Sequence, residues 1–200
     1  YGKSRCKIKE DKVLEKNIII LGASRSGKTT LARKLSKEYG YNLISLDDII
    51  CAFENIPECG IKHDGDDIEV ARNFAPFLIR YLKELSEGTN YYNGIKYVIE
   101  GTHIDFEQLM PFLNKEKYEI IGLLYNNIDE NELYQNMKKY DTEDDWTYWC
   151  NNEELKGNAK YFIERNKFFK DKFNEYNIKT YDVSKNREIV LNEICQNLNN

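Results

Sequence analysis

The sequence predicts an α/β fold built on a parallel sheet, and two observations carry that expectation. From residue 17 onward, short apolar runs alternate with amphipathic stretches of helical period, the rhythm of strand–helix–strand crossovers. The first run, Ile18-Ile19-Ile20-Leu21, leads straight into a glycine-bracketed turn and then into a helix-like stretch over 30–37, so that a strand hands a tight loop to a helix N-terminus. A chain of 200 residues with 41% apolar and 32% charged residues suits one domain with a core of its own.

Taken in order, residues 1–16 are charged and read as an N-terminal extension, and 17–200 read as a single domain. Strands are expected over 17–21, 42–46, 96–100, 119–125 and 179–182, each a short apolar run. Helical period is clearest over 29–38, 68–86, 130–139, 159–176 and 187–198. In the second of these, Phe74, Phe77, Leu78, Tyr81, Leu82 and Leu85 recur at three- and four-residue spacing and form one stripe for the core. Two segments break the rhythm. Residues 47–95 separate the second and third strands by more than a minimal crossover and include the polar turn Lys62-His63-Asp64-Gly65-Asp66-Asp67. Residues 140–158 are acidic and aromatic, with Asp141, Asp145, Trp146 and Trp149; the two tryptophans read as packing a lid. Excursions at the carboxyl ends of parallel strands are where such folds bind substrates.

The turn after the first strand carries the chemistry. Gly22-Ala23-Ser24-Arg25-Ser26-Gly27-Lys28-Thr29 matches G-x-x-x-x-G-K-[ST], the phosphate-binding P-loop, and implies a nucleoside triphosphate. Gly22 and Gly27 permit backbone conformations and approaches that a side chain would block. The amides between them form a concave nest for the β-phosphate, and Lys28 reaches the β- and γ-phosphates. The Thr29 hydroxyl is placed to ligate magnesium, and Thr30 completes the cofactor-binding run. The motif does not dictate Arg25 or Ser26; Arg25 reads as facing solvent, with a phosphate contact as the alternative.

A P-loop binds a triphosphate but does not activate an acceptor, so a phosphotransferase needs a carboxylate near the acceptor hydroxyl. Asp47 and Asp48 end the second predicted strand and are candidates, Asp47 as the base and Asp48 through magnesium or substrate; the alternative for Asp48 is a helix cap before Ile49. Tyr97-Val98-Ile99-Glu100-Gly101 is an apolar strand ending in a carboxylate, the Walker-B arrangement in which an acid holds magnesium. Gly101 allows a close approach at that strand end, and Thr102 and His103 follow at the rim as substrate candidates. Cations over the transferring phosphate are sought at Lys138, Lys139, Arg165, Arg72 and Arg80, with Arg165 the catalytic candidate because its planar fork suits phosphate.

Composition narrows the partners. A net charge of −5 gives no footprint for a long nucleic acid, and no apolar run approaches the roughly 18 residues of a membrane span. Cys6, Cys51, Cys59, Cys150 and Cys195 are scattered and odd in number, which argues for reduced thiols rather than a zinc site or disulfide framework. With no apolar leader after Tyr1, a cytoplasmic location is expected.

From the P-loop outward, the chain resembles the P-loop small-molecule kinases, the superfamily of nucleoside, nucleotide and metabolite kinases. Leu46-Asp47-Asp48, Ile99-Glu100-Gly101 and the closing Tyr181-Asp182-Val183-Ser184 turn support the likeness over 17–198. The resemblance implies a three-layer α/β/α P-loop NTPase fold: a five-stranded parallel sheet of order 2-3-1-4-5, with residues 47–95 as substrate-binding insertion and 135–160 as helical lid. It also implies ATP and Mg2+ as cofactors, a small-molecule phosphoryl acceptor, compatibility with a homodimer, and a turn over 183–186 near the adenine. Nucleotide monophosphate kinases commonly show Gly-x-Pro-Arg after the third strand and several lid arginines; here Gly101 precedes Thr102-His103-Ile104, and 127–158 holds no arginine. The Glu-Gly-Thr-His stretch looks more like the metabolite kinases. A polynucleotide-end kinase and a non-catalytic ATP-binding regulatory module are the alternatives.

Overall fold

The computed structural model describes residues 16–54, 56–62 and 65–198. Apart from Lys16, the expected N-terminal extension, with Cys6, lies outside the described residues, as do His63 and Asp64 of the polar turn. Five strands, β1 (Asn17–Leu21), β2 (Asn42–Ser45), β3 (Tyr97–Gly101), β4 (Tyr118–Leu124) and β5 (Lys179–Asp182), form one sheet. Its order is β2-β3-β1-β4-β5 and every pair is parallel, the 2-3-1-4-5 order expected. β1 lies at the centre, buried at all five positions, which is why its last four residues read as an unbroken apolar run rather than an alternating one.

The helices are α1 (Lys28–Tyr39), α2 (Leu46–Phe53), α3 (Asp67–Glu87), α4 (Thr89–Tyr92), α5 (Phe106–Leu109), α6 (Glu130–Tyr140), α7 (Asn152–Glu175) and α8 (Arg187–Leu198). The expected stripe of α3 is partly confirmed, with Phe74, Leu78 and Leu82 fully buried, while Phe53, Phe74 and Phe77 meet ring to ring. Pro76 sits inside this helix and has no N–H to offer the carbonyl of Arg72. Gln108 of α5 fills the gap, its Nε2 donating to that carbonyl at 3.1 Å. The middle of α3 is thereby tied to the segment that follows β3.

Two boundaries differ from expectation. The second strand stops at Ser45, because Ser45 Oγ accepts from the Asp48 amide at 3.4 Å and caps α2. Asp47 and Asp48 therefore do not end a strand, and Asp48 is not the cap; both occupy the first turn of α2, where carboxylates suit the positive end of the helix. α7 begins at Asn152, seven positions before the predicted start, set by a capping box in which Asn151 Oδ1 accepts from Glu154 N at 3.0 Å and Glu154 Oε2 accepts from Asn151 N at 2.9 Å. At its other end α7 lies hard against the sheet: a Cβ on Gly122 of β4 would stand 2.5 Å from the Phe173 ring. Among the described residues, no helix is long and apolar enough to cross a membrane.

Candidate active site

Parallel strands bring their carboxyl ends to one edge, so the loops after β1, β2 and β3 share a rim. Register aligns Glu100 of β3 with Ser45 of β2 on one side and Ile20 of β1 on the other, and Gly101 with Leu21. The acidic end of β3 thus lies beside the start of the P-loop and the cap of α2.

The loop itself needs its glycines. Gly22 has φ 154, and a Cβ there would meet the Leu123 carbonyl oxygen at 2.4 Å and Ser26 Oγ at 2.9 Å. Gly27, at φ 91, caps α1 in the left-handed region, and its carbonyl accepts from Leu31 N at 3.0 Å. Inside the loop, Ser26 N donates to Ala23 O at 3.3 Å, and the Tyr125 hydroxyl reaches both Ser24 O at 3.2 Å and Phe162 O at 3.0 Å. A Cβ on Gly27 would also meet Arg187 Cδ at 3.3 Å, which places the first residue of α8 against the loop. Thr30, like Thr29, is exposed in the first turn of α1.

Lys28 is buried, and its ammonium donates to Ala23 O at 3.0 Å. Burial lowers its pKa, against the opposing pull of Glu100 and Asp47. Thr29 Oγ1 donates to Glu100 Oε1 at 3.2 Å. Burial raises the Glu100 pKa, with Lys28 and the Thr29 bond acting against it and Asp47 adding to it. The residues expected to organise magnesium are therefore together: a hydroxyl and a carboxylate within hydrogen-bonding distance, beside the lysine. Two hard oxygen donors within 3.2 Å of each other are the donor type that a magnesium ion takes.

Gly101 earns its place differently from expectation. A Cβ there would stand 2.7 Å from Leu46 Cβ, so the close approach is made by the opening residue of α2 rather than by a ligand. That packing sets Asp47 beside His103. Nδ1 of His103 pairs with Asp47 Oδ1 at 3.3 Å and Nε2 with Asp67 Oδ1 at 3.2 Å, with Thr102 Oγ1 also 3.3 Å from Nδ1. Burial opposes the charge on His103, but its bonds to Asp47 and Asp67 win and raise its pKa to about 9. Thr102 and His103 are both buried.

Asp67, at the start of α3, is the hub that sequence reading missed. Its Oδ2 accepts from the Tyr161 hydroxyl at 2.5 Å and faces Arg165 Nε at 3.3 Å. Burial alone would raise its pKa; the bonds from His103 and Tyr161, then the charges of His103 and Arg165, bring it below its ordinary value. Arg165 is buried, with its guanidinium 4.6 Å from the Phe168 ring centre and 5.2 Å from that of Phe169. The row Asp47–His103–Asp67–Arg165 thus spans α2, the end of β3, α3 and α7. Asp66, in the polar turn, caps α3; the signal for Asp67 was only a second acid beside it.

Other candidates stand apart from this row. Asp48 is exposed in α2, and Arg72 is exposed on α3 with its charge acting on Asp105. Arg80 pairs with Glu84, while Lys138 and Lys139 lie over the rings of Tyr134 and Tyr140. Arg25 does not face solvent: it is ion-paired with Asp141 and, at 2.6 Å, with Asp145. Trp146 meets Phe162 edge-on while remaining largely exposed, and Trp149 is 70% exposed, so these rings cover less than a packed lid would require.

Solved structures share this architecture. A gluconokinase from Sinorhizobium meliloti 1021 superposes with a TM-score of 0.58 at 17% identity, over 93% of each chain. The chain has the fold of the P-loop small-molecule kinases. A shikimate kinase from Acinetobacter baumannii, in complex with shikimate, matches this kinase fold with a TM-score of 0.51 at 16% identity, over 92% of this chain and 90% of that one. An uncharacterized protein from Eubacterium ventriosum ATCC 27560 does so with a TM-score of 0.51 at 15% identity, over 92% and 99%. No protein-family model and no curated protein sequence matches the chain.

Proposed function

We propose that this chain is a Mg-ATP-dependent phosphotransferase that moves the γ-phosphoryl group to a hydroxyl or phosphate of a small acceptor, a metabolite or a nucleoside or nucleotide. The observation that carries this proposal is the convergence of Lys28, Thr29 and Glu100 on one side of the rim with Asp47 and His103 on the other. In this reading the amides of residues 22–30 hold the phosphates and the Lys28 ammonium leaves Ala23 O for the β- and γ-oxygens. Magnesium would supply charge neutralisation between those oxygens, with the Thr29 hydroxyl and the Glu100 carboxylate as its protein partners.

Asp47 accepts a hydrogen bond from the acceptor hydroxyl and takes its proton as the acceptor oxygen bonds to the γ-phosphorus and the bond to the β-phosphate oxygen breaks, releasing ADP. His103, held between two carboxylates, orients Asp47. Arg165, set by Asp67 and two aromatic rings, ends this row and would meet charge on the transferring group. Asp67 falls within 47–95, the proposed acceptor-binding part, and residues 135–160 serve as lid. Gly101, Thr102, Asp48 and Arg72 remain acceptor-side candidates, and the turn over 183–186, with Arg187, the adenine side.

The test is acceptor dependence. A metabolite library incubated with ATP and magnesium, read by mass spectrometry for a phosphate mass gain, should yield one acceptor that accelerates ATP consumption. Asp47→Asn should then lower kcat by about 10²–10⁴-fold, the range for a general base, with KM for ATP nearly unchanged. Labelling of oligonucleotide ends in place of any metabolite, or ATP binding with no transfer at all, would overturn the proposal.

A further inference from the structure

Arg25 has a set of side-chain partners that phosphate binding does not require. Its backbone lies at φ 68, in the left-handed region that disfavours any residue bearing a Cβ. Its guanidinium reaches Asp141 and Asp145, more than a hundred positions along the chain, with Nη1 donating to Asp145 Oδ1 at 2.6 Å. Both acceptors are themselves fixed. Asp141 Oδ2 accepts from the hydroxyl of buried Thr147 at 2.5 Å. Asp145 Oδ2 accepts from the Thr142 amide at 2.9 Å and its hydroxyl at 3.3 Å, which leaves Oδ1 for Arg25. Asp141 closes α6 as its C-cap, and Asp145 precedes the 3₁₀ turn Trp146–Trp149, so both belong to the connection between α6 and α7.

We infer that Arg25 is a positioning residue, a latch that clamps the α6–α7 connection onto the phosphate loop and so couples loop shape to lid closure. A charge in the middle of a P-loop would ordinarily be free for phosphate. Here two pre-set carboxylates hold it. The side chain reads the lid while the Arg25 amide stays available to the nest. That the α6–α7 connection acts as a lid rests on the proposed function; the clamp itself does not.

The experiment compares Arg25→Gly, Arg25→Lys, Asp145→Asn and the Arg25→Gly/Asp145→Asn double variant in the full chain. Hydrogen exchange of amides 141–150, measured without nucleotide, should speed up about tenfold in Arg25→Gly and in Asp145→Asn, on the scale of a lost charge-assisted pair. The double variant should be no faster than the faster single one. Arg25→Gly relieves the left-handed backbone, so a loss of protection in it cannot come from loop strain, and Arg25→Lys, keeping charge without the fork, should fall between. ATP affinity, measured separately, should weaken in both single variants. Unchanged exchange in Arg25→Gly would overturn the latch. So would loss of ATP affinity in Arg25→Gly with Asp145→Asn at wild-type values, the pattern of a phosphate ligand. Because exchange is read without nucleotide or acceptor, failure to find a phosphoryl acceptor would count against the proposed function and leave the latch standing.

Discussion

Replacing His103 with glutamine tests the charged row directly. His103 is 8% exposed in its side chain and bridges Asp47 and Asp67, so its protonation is linked to folding. Its pKa rises from 6.5 to about 9 in the folded chain, which means the stabilisation is complete below about pH 6.5 and is lost as pH climbs through about 9. At 1.36 kcal/mol per unit, the linkage amounts to about 3 kcal/mol at pH 5.5, about 2 kcal/mol at pH 7.5 and essentially nothing at pH 10. Glutamine cannot carry the charge or bridge both carboxylates. Urea unfolding at those three pH values should show the wild-type advantage over His103→Gln shrinking by these amounts. Other groups titrate near pH 10, and taking the difference between the two proteins cancels them. Parallel stability curves across the range would refute the bridge, because they would mean that His103 gains no proton on folding.

Other outcomes follow from the loop and its acid. Lys28→Met should abolish phosphoryl transfer, by at least roughly a hundredfold in kcat, while thermal unfolding stays level or moves up, because burial disfavours the Lys28 charge; full activity would remove the P-loop reading. Gly22→Ala should cost roughly 1–3 kcal/mol of overpacking against the Leu123 carbonyl, whereas Gly40→Ala, left-handed but with open space around it, should cost only about 1 kcal/mol; equal losses in chemical denaturation would contradict that clash. Glu100→Gln should raise the magnesium concentration needed for half-maximal transfer by about 10–100-fold, with Thr29→Ser near wild type; an unaltered magnesium titration would remove Glu100 from the metal's partners.

How much was legible in the sequence depended on sequence distance. The P-loop lies within eight consecutive residues, and Glu100 ends an apolar strand, so the pairing of Thr29 with Glu100 could be anticipated from strand ends alone. Sheet order likewise came with the resemblance and holds in the structure. The misreadings have local causes. Leu46 looked like strand because it is apolar, yet the preceding Ser45 caps a helix and draws Asp47 and Asp48 into its first turn. Asp67, Tyr161 and the carboxylates facing Arg25 were invisible because their contacts join elements brought together only by folding, and an acid near a helix start, or in an acidic loop, looks solvated until its partner is known.

Phe173 over Gly122 gives α7 a mechanical property. The helix is pinned to the sheet near its C-terminal end, while its N-terminal end carries on into the α6–α7 connection. At 1.5 Å per residue, Arg165 lies about 12 Å from that pivot and Asn152 about 31 Å. A tilt of about 5° about Phe173 would shift Arg165 by about 1 Å but swing Asn152 by almost 3 Å. The helix is pinned again at Asn166, whose side chain bonds both the amide and the carbonyl of Tyr125, so the arginine beside it is held in register with Asp67 against such a tilt.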